Sequence, residues 1–271
     1  MPLNRIQIDI LTLLASKRSP ESYVAGSTPL NQSASRFSKD IDIFHDKVED
    51  LRRIVAEDAM VLEGAGYQIE WTRQLDMIHS AKVIKDGADT RLDWAVDSDY
   101  RFFPTLPNPL FGYTLHPVDL AMNKVMAAAG RQSLRDLVDL MTIHERVLSL
   151  GAVIWAAVDK APGFTPEGLI GWIRRNSNFP RIDWELLKTT EPIDPLEFSP
   201  RLRAALKTAE KFVSQMPSSK AGLLFLESGK VVQPEPSRLD SYETHAGQRR
   251  GHWPSSPEIA NAMLDHYKKG E

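Results

Sequence analysis

The chain has 271 residues, 33 of them basic and 36 acidic, for a formal charge of −3, so it lacks the basic bulk of a protein that coats nucleic acid. Hydrophobic residues make up 42% and charged residues 25%, an ordinary globular composition long enough for one large core or two smaller ones. There is no cysteine, which excludes disulfides, thiolate metal sites and cysteine nucleophiles and leaves the chemistry to oxygen and nitrogen.

The first expected element is a packed helix carrying Ile6, Ile8, Ile10, Leu11, Leu13 and Leu14. Asp9 interrupts this run, Lys17 and Arg18 follow it, and no stretch approaches the ~18 apolar residues of a bilayer span. A cytoplasmic protein with no membrane contact is therefore expected. Ser22 to Gly26 reads as a strand ending at a glycine turn, after which Thr28 can cap a helix with Pro29 at its first position. From Lys39 to His45, Ile41 and Ile43 alternate with Asp40, Asp42 and Phe44, which predicts a strand with Asp40 and Asp42 on one face. Asp46 and Glu49 fit a capping box, and Val48, Leu51, Ile54, Val55, Ala59 and Leu62 form a helical stripe that Gly64 and Gly66 end.

Tyr67 to Thr72 and Met77 to Ile84 look extended, and Asp86-Gly87 signals a hairpin turn into a strand over Thr90 to Val96. In that strand Leu92, Trp94 and Val96 share one face while Arg91, Asp93 and Asp97 share the other. Tyr100 to Pro117 contains Pro104, Pro107, Pro109 and Pro117 and is expected to be an irregular crossover. A helix then starts at His116-Pro117 with Val118, Met122, Val125 and Ala129 as its stripe and Gly130 at its end. Ser133 and Asp136 match a second capping box ahead of Leu134, Leu137, Val138 and Met141. Pro166 to Arg175 and Pro200 to Phe212 are further helix candidates. Leu223 to Val232 suggests a hairpin through Ser228-Gly229, followed by a loosely held arm over Gln233 to Pro257 and a short final helix from Pro257 to Lys268.

Chemistry gathers on three carboxylates. Asp40 and Asp42 lie on one strand and Asp93 on a later strand of the same expected sheet, and such acids repel one another unless a divalent cation sits between them. Hard oxygen ligands point to Mg²⁺. D-x-D also arises by chance on any solvent-facing strand, so its surroundings carry the argument: Gly26-Ser27 opens a turn suited to phosphate, and Arg36 and Ser38 stand just ahead of the Asp40 strand. The histidines show no H-x₃-H spacing, which disfavours zinc.

These residues resemble the polymerase-β-like nucleotidyltransferases, in which Gly-Ser precedes a helix, D-x-D lies on the next strand and a third Asp follows. The closer likeness is to the AbiEii/AbiGii toxin nucleotidyltransferases. It rests on Gly26-Ser27 with Arg36-Phe37-Ser38-Lys39-Asp40-Ile41-Asp42, and on a second block downstream. That block reads Asp119-Leu120-Ala121-Met122-Asn123-Lys124, then Ala128, Arg131 and Arg135-Asp136-Leu137-Val138-Asp139-Leu140.

The resemblance implies an α+β fold: a polymerase-β-like mixed sheet with flanking helices over residues 1–112, a mainly helical domain over 113–217, and an extended hairpin, arm and terminal helix over 218–271. It implies an enzyme that moves NMP from an NTP to an acceptor, an RNA or tRNA 3′ end, as the toxin of a bacterial toxin–antitoxin or phage-defence pair with a cognate antitoxin. Gly26 and Ser27 would hold phosphates; Asp40, Asp42 and Asp93 would bind Mg²⁺, with Mn²⁺ as a substitute; and Asp93, preferred to the nearby Asp89, Asp97 and Asp99 because Leu92 and Trp94 alternate with it, would orient or deprotonate the attacking hydroxyl. Lys124 lies about 240° round its helix from Val118, off the apolar stripe, and would neutralise the triphosphate, with Asp136 positioning it and Arg135 beside the nucleotide. Arg36 and Ser38 would brace the strand or contact phosphate. A small-molecule or protein hydroxyl as acceptor, and a catalytically silent nucleotide-binding module, remain the alternatives. The basic helical stretches at Arg174, Arg175, Arg201, Arg203, Lys207 and Lys211 are either solvated faces or an RNA-binding surface.

Overall fold

A computed structural model describes residues 3–32, 34–98, 100–160 and 163–249. The expected final helix and Asp99 lie outside them. By its internal contacts the chain forms two compact units, Met1–Asp99 with Thr105–His116, and Tyr100–Pro104 with Pro117–Glu271.

The first unit is built on a mixed sheet. Helix α1 (Arg5–Leu14) begins at Asn4, which forms a reciprocal capping box with Gln7, and buries Ile6, Ile10, Leu11 and Leu14 while leaving Leu13 at the surface. Strands β1 (Ser22–Ala25) and β2 (Asp40–His45) pair antiparallel. Helix α2 (Val48–Gly64) then crosses over and buries Leu51, Val55, Ala59 and Leu62. The expected capping box does not form there: the helix starts one residue later than Asp46 would allow, Lys47 is its N-cap, and the Asp46 N–H donates to the Glu21 carbonyl instead.

Strands β3 (Gln68–Leu75), β4 (Ile78–Lys85) and β5 (Ala88–Val96) follow as a meander. The β4–β5 turn holds Asp86 and Gly87 at φ of 50° and 77°, the left-handed pair of a tight two-residue hairpin. Strand β5 then lies parallel to β2, a pairing that needs the long crossover through α2 and the meander.

The crossover segment is more ordered than its prolines suggest. After β6 (Tyr100–Arg101), strand β7 (Leu106–Asn108) forms the sheet edge, where Pro107 needs no ladder partner on its outer side, and β8 (Gly112–Thr114) lies parallel to β1. Among the described residues the sheet order is β3-β4-β5-β2-β1-β8-β7. Its core face, with Val24, Ile41, Ile43, Ala81, Val83, Leu92 and Trp94, packs with α1 and α2 in one hydrophobic cluster.

The second unit is helical. Helix α3 (Pro117–Gly130) is in contact with α4 (Leu134–Arg146), α5 (Leu150–Ala157) and α6 (Pro166–Arg175). Helix α5 has no polar face and is buried along its whole length, which is why periodicity gave no sign of it. Helix α7 (Arg181–Glu185) is short, and α8 (Pro195–Gln215) starts five residues earlier than expected, with Asp194 as N-cap and Pro200 inside. Strands β9 (Leu224–Glu227) and β10 (Lys230–Val232) make the expected hairpin.

The segment beyond that hairpin is held rather than loose as far as it is described. Strand β11 (Glu243–His245) adds to β9, and β12 (Gln248–Arg249) pairs with β6. His245 donates to the Phe102 carbonyl at 2.6 Å and stacks on Phe103. The Phe102 and Phe103 N–H groups in turn donate to the Asp119 carboxylate at 2.8 and 3.0 Å, and burial pushes that carboxyl up to about 6. No helix among the described residues is long and apolar enough to cross a membrane.

Candidate functional site

The alternation of β2 decides where its carboxylates go. Ile41 and Ile43 are fully buried in the core, so Asp40 and Asp42 must emerge on the opposite face. Leu92 and Trp94 do the same for Asp93 on β5. The parallel register then sets Asp42 level with Asp93 and Asp40 level with Arg91. The other acids near Asp93 are placed differently: Asp89 sits at the hairpin end opposite Ile84, and Asp97 lies beyond the strand with its N–H bonded to the His45 carbonyl.

Beside Asp42 across the antiparallel pair is Ala25, and the next residue is Gly26 at φ +66°. A Cβ at position 26 would stand 2.7 Å from the Asp42 carboxylate carbon and closer still to Oδ2. Glycine is required there twice over, for its backbone angle and for the room the carboxylate takes. The turn does not lead into the expected helix. Ser27 accepts the Asn31 N–H at its carbonyl and only one 3₁₀ turn follows, Leu30–Gln32. Thr28 does not cap: its buried hydroxyl donates to the Asp40 carbonyl at 3.0 Å, alongside that of Ser38 at 2.9 Å.

Arg36 and Ser38 are both buried. Arg36 donates to the Phe37 carbonyl at 2.8 Å, and the Ser38 carbonyl accepts from Gln7, which also reaches Thr90. These contacts brace the entry to β2.

The neighbouring strands add cations to the carboxylate face. Arg91 Nε donates to Asp93 Oδ1 at 2.9 Å, and the hydrogen bond and the nearby charges of Asp93, Asp40 and Asp42 push the guanidinium pKa up. Ser80 on β4 opposes Asp93, and Lys82 opposes Arg91. On β3 a bulge at Thr72 shifts the register, so Trp71 opposes Ala81 whereas Arg73 opposes Ser80. Without the extra residue Arg73 would join the core side; with it, Arg73 falls in the same cross-sheet row as Ser80, Asp93 and Asp42.

The core side of the same strands carries a different charged group. Arg18 pairs with Asp58, both side chains wholly buried, and also donates to the Ser22 hydroxyl and the Leu14 carbonyl. Trp94 donates to the other Asp58 oxygen at 2.8 Å. Burial pushes the Asp58 carboxyl up and the Arg18 guanidinium down, each against its charge, while their mutual attraction opposes both shifts. His45, buried at the end of β2, is pushed down to about 3 by burial and by the nearby Arg18 charge.

In the helical unit Lys124 is buried rather than presented at the surface. Its Nζ stands 2.7 Å from Asp139 Oδ2 and 3.7 Å from Asp136 Oδ1. Arg131 grips Asp136 with two hydrogen bonds of 2.7 and 3.2 Å. Asp136 is therefore drawn away from the helix start, and Ser133 serves as N-cap without a side-chain bond. Arg135 in the same first turn is half-buried. Two of the basic helical residues are tied to acids, Arg174 to Glu210 at 2.7 Å and Arg201 to Glu145.

Among the described residues no three of His, Asp and Glu are already gathered as a bound metal would gather them. Asp42 lies against Gly26, and Asp93 accepts from Arg91. The donor set itself suits a hard divalent ion: carboxylate oxygens on two adjacent strands, with a glycine cleared beside one of them.

Neither a protein family nor a curated protein matches the chain in sequence. Solved structures do match in fold. MenT4, a nucleotidyltransferase toxin from Mycobacterium tuberculosis, aligns with a TM-score of 0.56 at 16% identity over 79% of this chain and 84% of its own. JHP933 from Helicobacter pylori aligns at 0.47 and 18% identity over 78% and 90%. The chain shares the α+β fold of MenT4, a mixed sheet with flanking helices followed by a mainly helical region.

Within that shared fold, four placements depend on more than local sequence. Arg73 depends on a bulge that no pattern marks. Arg91 reads as one more surface charge until the register puts it level with Asp40. Thr28 looked like a cap. Asp139 was legible only as part of a motif, although two i,i+3 acids on one face of α4 were a signal for a shared cation.

Proposed function

We propose that the protein is a nucleotidyltransferase that moves a nucleoside monophosphate from an NTP to a hydroxyl acceptor. The observation that carries this reading is the level pairing of Asp42 with Asp93, flanked by Asp40 and backed by a glycine that leaves room only for the Asp42 carboxylate. Asp40, Asp42 and Asp93 would hold Mg²⁺, or Mn²⁺ in its place. The ion, when bound, supplies charge neutralisation of the triphosphate and acidifies the acceptor hydroxyl. Gly26 and Ser27 form the turn that takes the phosphates. Asp93 orients the acceptor hydroxyl and accepts its proton as the oxygen attacks the α-phosphorus. The bond from the α-phosphorus to the bridging oxygen breaks, and pyrophosphate leaves with the electron pair.

An RNA 3′ end, tRNA included, is the acceptor we favour. Arg73, Lys82 and Arg91 stand on the carboxylate face of β3, β4 and β5, and such a line of cations suits a phosphodiester backbone better than a neutral small molecule. We read the protein as a cytoplasmic toxin of a toxin–antitoxin or phage-defence pair with a cognate antitoxin; the fold shared with a nucleotidyltransferase toxin supports the toxin part of that reading.

The test is transfer of label from each α-³²P NTP to total tRNA with Mg²⁺. The Asp40→Asn/Asp42→Asn variant is expected to lose at least about a thousandfold of this activity, with an unchanged far-ultraviolet circular dichroism spectrum. Full transfer by that variant overturns the assignment. Label on a small molecule or a protein replaces the acceptor and leaves the chemistry intact.

A further inference from the structure

Arg91 lines the face proposed for the acceptor backbone but takes no part in the transfer step itself, and it stands among the carboxylates. It lies two residues before Asp93 on the same face of β5 and level with Asp40 on β2. Its Nε donates to Asp93 Oδ1 at 2.9 Å, and Nη2 lies 3.5 Å from the buried Ser80 hydroxyl. The Arg91 side chain is 49% exposed and that of Asp93 only 13%, so the guanidinium can leave toward water while the carboxylate stays. A divalent cation and a guanidinium compete for the same carboxylate charge, and at a few ångströms they repel each other.

We propose that Arg91 is an exchangeable counter-ion. In the metal-free protein it neutralises Asp93 and limits the repulsion among the three carboxylates; a divalent cation entering the row displaces it. The freed guanidinium then stands beside Lys82, at the rim of the site, as an anion-binding group for a phosphate of the incoming substrate. The inference rests on reading the carboxylate row as a metal site, and by linkage it makes Arg91 a brake on metal affinity.

Mn²⁺ binding to the full-length protein, titrated by electron paramagnetic resonance, tests it. Arg91→Gln is expected to bind Mn²⁺ about three- to tenfold more tightly than the wild type, and Arg91→Lys, which keeps the charge, to stay close to the wild type. The rise in melting temperature on adding Mn²⁺ should also be larger in Arg91→Gln, because its metal-free state has lost the counter-ion. Unchanged or weaker Mn²⁺ binding by Arg91→Gln, together with weakened binding by Asp42→Asn, overturns the counter-ion and leaves the metal site standing. Absence of Mn²⁺ binding from the wild type and Arg91→Gln alike overturns both.

Discussion

Two arginine–aspartate pairs lie on opposite sides of β5, and they differ in almost every physical respect. Arg18–Asp58 is wholly buried and closed by Ser22, Leu14 and Trp94. In Arg91–Asp93 the arginine is half in water, and one hydrogen bond of 2.9 Å joins the pair. A buried pair is expensive to form and more expensive to break, because removing one member strands the other. A half-exposed pair contributes little and can be exchanged. The same two residue types therefore form a fixed brace for the sheet on one side and, on the other, a half-exposed pair suited to the exchange proposed for Arg91.

Breaking the brace should give the largest effect. Asp58→Ala leaves Arg18 buried without its counter-charge and is expected to cost about 3–5 kcal/mol in denaturant unfolding. The paired change Arg18→Met/Asp58→Leu removes both charges and should recover most of that loss.

Acid sharpens the contrast on the buried side. The folded pKa of His45 is depressed to about 3 from an ordinary value of 6.5, so the folded state favours the neutral ring. Its contribution is fully present above pH 6.5 and is lost as the pH falls toward 3. Between pH 7 and 4.5 that amounts to about 2–3 kcal/mol, visible as a falling urea midpoint that His45→Leu flattens.

On the exposed side, Gly26→Ala forces a left-handed angle on a residue with a Cβ and drives that atom into Asp42. We expect roughly 1–2 kcal/mol of destabilisation, with a loss of nucleotide transfer far beyond what that stability change explains. The smallest stability effect belongs to Arg91→Gln, at most about 1 kcal/mol without metal. A loss as large as that of Asp58→Ala would erase the distinction between the two pairs.

The contrast also explains what the sequence could reveal. Ile41, Ile43, Leu92 and Trp94 alternate with acids, so period-two reading finds β2, β5 and the side on which Asp40, Asp42 and Asp93 emerge. Local turn chemistry finds Asp86-Gly87 and Ser228-Gly229, and helix α6 has the expected bounds, Pro166–Arg175. Features set by distant partners stayed hidden. Strand β8 is three residues long and exists because β1 lies beside it, and Arg73 changes face through a bulge defined only against β4. Lys124, placed off the apolar stripe of α3, is nevertheless buried because α4 brings two carboxylates to it; helical angle alone says nothing about what covers a face.

The parallel pairing of β2 with β5 has a kinetic consequence. Asp42 and Asp93 are far apart in sequence, with α2, β3 and β4 between them, so their juxtaposition is a high-contact-order event that costs loop-closure entropy before any contact rewards it. A growing chain presents Asp40 and Asp42 while the strand bearing Asp93 has yet to be synthesised. The three carboxylates therefore come together only when that ladder closes.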